Sequence, residues 1–125
     1  MAARNFADGK FLHRGVVQIV GGGTGAGNAD LTSVYGAGVA SIPDGGTGEY
    51  VITLSDKYNS YLHGTFQIID ATTPDDWAVT VTAEAVATDK TVSITVFKAG
   101  TAADLTTDEK LTFCLWLSNT SQPQP

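Results

Sequence analysis

Strict two-residue alternation of apolar and polar side chains constrains this chain more than any other feature, because it fits an extended strand with one buried face. In "EYVITL" the side chains of Tyr50, Ile52 and Leu54 point one way and those of Glu49, Val51 and Thr53 the other. "WAVTVTAEAVA" sets Trp77, Val79, Val81, Ala83, Ala85 and Ala87 against Ala78, Thr80, Thr82, Glu84 and Val86. After the turn signal Thr88-Asp89-Lys90, "TVSITVF" places Val92, Ile94 and Val96 in phase, which predicts a hairpin. "LTFCLWL" alternates Leu111, Phe113, Leu115 and Leu117 with Thr112, Cys114 and Trp116. Its second face is partly apolar, so Trp116 and Cys114 call for cover from another subunit or from a second layer.

"GVVQIV", "SVYGAGVASI" and "TFQIIDA" complete a set of about seven strands, separated by turn-rich joints such as "PDGGTG" and "TTPDDW". Helix is scarce. "SDKYNSYLHG" is the best candidate for a single turn, with Ser55 or Asp56 as cap and Gly64 as terminator, and "ADLTTDEK" is a second. The expected fold is all-β: one domain, an antiparallel β-sandwich or jelly-roll-like barrel, with an extended N-terminal arm. The arm is expected over residues 1–16, the sandwich over 17–118 and a flexible tail over 119–125.

"VVQIVGGGTGAG", residues 16–27, satisfies the written dinucleotide fingerprint through Gly21, Gly23 and Ala26. A phosphate cradle also needs a helix whose N-terminus faces the charge. The following "NADLTSVYGAGVASIPDGG" carries Gly36 and Gly38 in its middle, each costing about 1 kcal/mol relative to Ala in a helix. A flexible loop between strands is expected there, with no cofactor. A chain of 125 residues is also short for the several βαβ units of such a domain.

Seven basic and 13 acidic residues give a net charge of −6, which argues against nucleic acid or an anionic membrane as partner. The distribution is uneven. Residues 1–14 hold Arg4, Lys10 and Arg14 against Asp8 alone, leaving 7 − 3 = 4 basic and 13 − 1 = 12 acidic groups in the remainder. Such a basic head is either a solvated terminus or an arm that docks on an acidic neighbour. The single cysteine, Cys114, excludes an internal disulfide and reads as packing. "MAARNFADGKFLHRG" lacks the apolar core of a signal peptide, so a soluble chain beginning near Met1 is expected.

Nothing in the sequence assembles an enzyme. His13 and His63 have no metal-ligand spacing around them, and Asp75-Asp76 after Pro74 fits a turn. No Gly-x-Ser-x-Gly elbow is present, and Asn119-Thr120-Ser121 matches a glycosylation sequon that has no meaning without export. No small-molecule substrate is expected. Tyr58 and Tyr61 in "KYNSYLH" form the expected exposed aromatic patch, or else a lid over a sheet edge.

The succession of "FLHRGVVQIVG", "GTGEYVITLSDKYNSYLHGTFQIID", "VTVTAEAVATDKTVSITVFKAG" and "DLTTDEKLTFCLWLSNTS" resembles small structural proteins of tailed bacteriophages along nearly the full chain. Within it, Gly48 to Leu62 is the most telling stretch. The resemblance implies a virion component, most like capsid decoration, or cement, proteins. It implies a homo-trimer that is assembled in the host cytoplasm, sits on the outer capsid surface and clamps neighbouring major capsid protein subunits. Phe6, Phe11 and Arg14 are the candidate anchors of the arm, with Arg4 and Lys10 as supporting charges and Tyr58 and Tyr61 as further contacts. The alternative is a phage tail or fibre module binding host-surface glycan or protein.

Overall fold

The computed structural model describes residues 15–72 and 76–119. Ten strands form two antiparallel sheets, and no helix occurs among the described residues. The strands are β1 (Val16–Thr24), β2 (Thr32–Tyr35), β3 (Val39–Ser41), β4 (Asp44–Gly46), β5 (Glu49–Leu54), β6 (Ser60–Asp70), β7 (Trp77–Ala85), β8 (Thr91–Lys98), β9 (Thr101–Ala102) and β10 (Glu109–Ser118). One sheet runs β2-β1-β10-β6. The other runs β3-β5-β8-β7, with β4 also beside β5 and β9 beside β8. This is the expected all-β sandwich.

The alternation places the core. Tyr50, Ile52 and Leu54 of β5 and Val92, Ile94 and Val96 of β8 face Ile19 of β1 and Leu111, Phe113, Leu115 and Leu117 of β10, all buried. Each fully buried aliphatic side chain contributes about 1.5–3 kcal/mol. Leu31, Ile42, Val86 and Leu105, all buried, close the ends from the connecting segments.

Five local expectations change. The tract Gly21–Gly23 is not a flexible loop. It continues β1 in register with Leu111–Phe113, and no helix follows it. Glycine is needed there because neighbours press on the strand: a Cβ on Gly22 would lie 2.7 Å from the Tyr35 hydroxyl. "SVYGAGVASI" is two short strands in different sheets, hinged at Gly36, whose φ of +119° suits glycine alone. With β4 and β9 added, about seven strands become ten.

The predicted hairpin of β7 and β8 forms, but a bulge between Val81 and Ala83 reverses the phase of the second half of β7. Ala83 and Ala85 therefore pair with the outward Ser93 and Thr91, and Val86 turns inward to complete burial. Neither helical turn exists. In the first, the amides of Tyr58 and Asn59 donate to Val86 and Ser118 carbonyls, at 3.0 and 2.8 Å, and Ser60 already opens β6. In the second, the amide of Thr106 donates to the Glu109 carboxylate at 2.7 Å. The first two donors are used across the fold, whereas the second segment forms a short non-helical turn, closed by the Glu109 amide donating to the Thr106 carbonyl at 3.0 Å.

Candidate functional site

The sandwich has two unlike outer faces, and register alone reveals the difference. On the four-stranded sheet, β1, β10 and β6 align in rows: Gln18, Trp116 and His63; Val20, Cys114 and Thr65; Gly22, Thr112 and Gln67; Thr24, Lys110 and Ile69. All these positions alternate with the buried ones, so they point away from the second sheet. Lys110 is their only full charge. The opposite outer face, built on β5, β7 and β8, presents Glu49, Thr53, Thr80, Thr91, Ser93 and Thr95, with the half-buried Val51 and Phe97 and with Ala78 between them.

The apolar groups left in solvent concentrate on the first sheet. Val20 is 58% exposed, Ile69 45%, Tyr35 43% and Leu62 41%, and each belongs to β1, β2 or β6. The Tyr35 ring lies over Gly22, held by the β1–β2 pairing. Trp116 stacks at a tilt on His63, with ring centroids 5.5 Å apart. Between them the small side chains of Thr65, Thr112 and Cys114 floor a shallow depression of about 370 Å³ beside Val20. Gln18 Nε2 reaches Cys114 Sγ at 3.1 Å, so the thiol is half-buried within the face. Flat, apolar and nearly uncharged, this surface suits macromolecular contact rather than catalysis.

One end of the sandwich gathers carboxylates, and its geometry is structural. The amide of Asp44 donates to Asp30 Oδ1 at 2.9 Å and that of Gly48 to Asp104 Oδ1 at 2.8 Å. These carboxylates brace turns. No group of three or more potential metal ligands comes together among the described residues.

Of the residues singled out from the sequence, Arg4, Phe6, Lys10, Phe11 and Arg14 lie outside the described residues, as do His13 and Asp75. Tyr58 and Tyr61 lie in neither an open patch nor the apolar face. Both are half-buried against the core. Burial holds both phenols above the usual tyrosine range, aided by the nearby charges of Asp56 and Glu84 respectively. His63 is exposed on β6. Trp116 and Cys114 point outward, away from the second sheet, so that sheet does not cover them.

Sequence reasoning missed Val20, Tyr35, Leu62 and Ile69. The available signal was apolar residues in both phases, as in "VVQIV" and in the adjacent Ile68 and Ile69, which marks a strand with two contact faces. No family model, curated protein or solved structure matches the chain significantly.

Proposed function

We infer that this chain is a bacteriophage capsid decoration protein, which adheres to the assembled head and stabilises contacts between major capsid protein subunits. The observation that carries this reading is the outer face of the four-stranded sheet, where Val20, Tyr35, Ile69 and Trp116 gather with one charge among them. A rigid sandwich exposing such a face suits repeated adhesion on a regular lattice. The resemblance of the strand sequence to phage virion proteins supplies the identity of the lattice and the expectation of a trimer.

Binding only the assembled state shifts the equilibrium toward it, so a clamp stabilises the shell without making or breaking a bond. The basic residues Arg4, Lys10 and Arg14, with Phe6 and Phe11, extend the contact beyond the sandwich, to a capsid subunit or to a sister copy. Excess negative charge on the body favours solubility at high copy number before assembly.

The test is co-sedimentation of the purified chain with undecorated heads, followed by heat challenge of the pelleted particles. Saturable binding and a raised disruption temperature are expected. Failure to pellet under any salt condition would sink the reading. For the tail or fibre alternative, densitometry of purified virions decides: a decoration protein is present in hundreds of copies, a tail component in far fewer.

A further inference from the structure

The outer edge of β6 is a second feature that the apolar face does not account for. Among the described residues β6 and β7 are the last strands of their sheets, so each leaves one row of backbone amides and carbonyls without a strand partner there. Natural edges are made safe by shortness, charge, proline or bulges. β2 and β3 are short, at four and three residues, and β7 has a mid-strand bulge and Glu84. β6 is 11 residues long, and from Ser60 to Ile69 it has no Lys, Arg, Asp, Glu or Pro. Its irregularity lies near one end, at Leu62, which leaves Gly64 to Asp70 in regular register.

β6 and β7 face each other across an open side of the sandwich. Between them runs a slot of about 340 Å³ lined by Phe66, Ile68, Trp77, Val79 and Asp76. The Trp77 indole donates to Asp70 Oδ2 at 3.2 Å, and the Lys98 ammonium lies 5.4 Å from the Trp77 ring centroid. Aromatic and aliphatic side chains wall the slot, while polar groups, Asp76 among them, make up most of its exposed lining.

We propose that residues 1–14 of one copy add as an extra strand along the free β6 edge of a neighbouring copy, with Phe11 seated in this slot. Charge favours the match. Residues 1–14 carry three basic groups and one acidic, and the rest of the chain carries four basic and 12 acidic. In an extended segment Phe11 and His13 share one face and Lys10, Leu12 and Arg14 the other, so Phe11 turns into the slot while the cations stay on the outer side, attracted by the net negative charge of the body.

Distance selects a neighbour over the same chain. Val16, Ser118 and Ser60 form one row, so the chain emerges at the Ser60 end with β10 and β6 between it and the free edge. Reaching Phe66 to Ile68 requires about 20–27 Å along β6 at ~3.4 Å per residue and about 14 Å across three strand spacings. Phe11 lies only four residues before Gly15, a reach of about 14 Å even fully extended. Pairing of β6 with β6 of a second copy is disfavoured because the second sandwich brings its own β7 against this one. A single extended segment has no second layer to place.

The inference does not rest on the capsid reading, because its test uses the isolated protein. Backbone hydrogen exchange is measured on the full chain in dilute and concentrated solution. The expected result is at least tenfold slower exchange in the Gly64–Asp70 segment at high concentration. That protection is lost in Phe11→Ser and in the Lys10→Glu, Arg14→Glu double variant, with melting temperatures unchanged. Protection independent of concentration, protection that survives both variants, or no protection at either concentration overturns the proposal. Survival in the variants would instead indicate β6 pairing between copies.

Discussion

The backbone amide of Leu105 donates to the hydroxyl oxygen of Tyr50 at 2.8 Å, joining the connection before β10 to the centre of the second sheet. Both residues are fully buried. Tyr50→Phe keeps the ring and leaves the Leu105 N–H without a partner, which costs about 1–3 kcal/mol for a buried donor. Thermal unfolding should show a lower melting temperature with wild-type strand content in circular dichroism. An unchanged melting temperature would mean that water replaces the phenol.

The same phenol contributes to the loss of stability at high pH. Burial raises the Tyr50 value above the usual 10.0, the Leu105 amide opposes that rise, and the charges of Asp104, Asp44 and Glu109 reinforce it. Tyr58 and Tyr61 are raised as well, chiefly by burial. The unfolded chain loses these protons first as pH increases. The contribution to stability is therefore complete below pH 10 and is lost as pH climbs through the folded values. Denaturant unfolding followed past pH 10 should show stability falling, and Tyr50→Phe should flatten part of the fall.

Where the period of two runs unbroken, sequence and structure agree residue by residue. Tyr50, Ile52 and Leu54, and Leu111 to Leu117, are buried as their alternation requires. The reading fails where one residue shifts the phase or where glycine lets the chain approach a neighbour. The bulge after Val81 turns Ala83 and Ala85 outward, and alternation carries no mark of it. Gly21 to Gly23 look like a loop because glycine is uncommon in strands, yet Tyr35 and Phe113 press so closely there that side chains would not fit. The candidate face was the least legible part. Its rows join positions far apart in the chain, such as Gln18, Trp116 and His63, and only the register of three strands assembles them.

Crowding at Gly22 gives a contrast with Gly27. A Cβ on Gly22 would meet the Leu111 carbonyl and, at 2.7 Å, the Tyr35 hydroxyl. A Cβ on Gly27 meets nothing within 4 Å, and only its φ of +75° opposes substitution. Gly27→Ala should therefore cost about 1–2 kcal/mol, the penalty of a left-handed alanine. Gly22→Ala should cost more, because the Leu111 backbone cannot swing aside as a side chain can. Equal denaturation midpoints for the two variants would refute the packing assigned to the Gly21–Gly23 tract.

Packing at the centre of β10 predicts the largest loss. Leu115 is 0% exposed and pairs with Ile19 on one side and Gly64 on the other. Leu115→Ala should destabilise by about 2–5 kcal/mol, the range for a buried leucine whose surroundings only partly collapse. Chemical denaturation supplies the measurement. A loss well below that range would mean the two sheets close over the gap.

The apolar face separates stability from adhesion. Val20 and Ile69 lie on the solvent side of the four-stranded sheet, so lysine at either position should change folding stability by less than about 0.5 kcal/mol. Each substitution places a charge where the proposed contact surface has only Lys110, and a desolvated, unpaired ammonium is costly. The affinity for undecorated heads should fall at least tenfold, or about 1.4 kcal/mol. Thr80→Lys, on the exposed outer face of the second sheet, is the control and should bind as the wild type does. Full binding by Val20→Lys and Ile69→Lys, together with loss in Thr80→Lys, would move the contact to the threonine-rich face, since both sheets belong to one rigid sandwich and only their outer side chains differ.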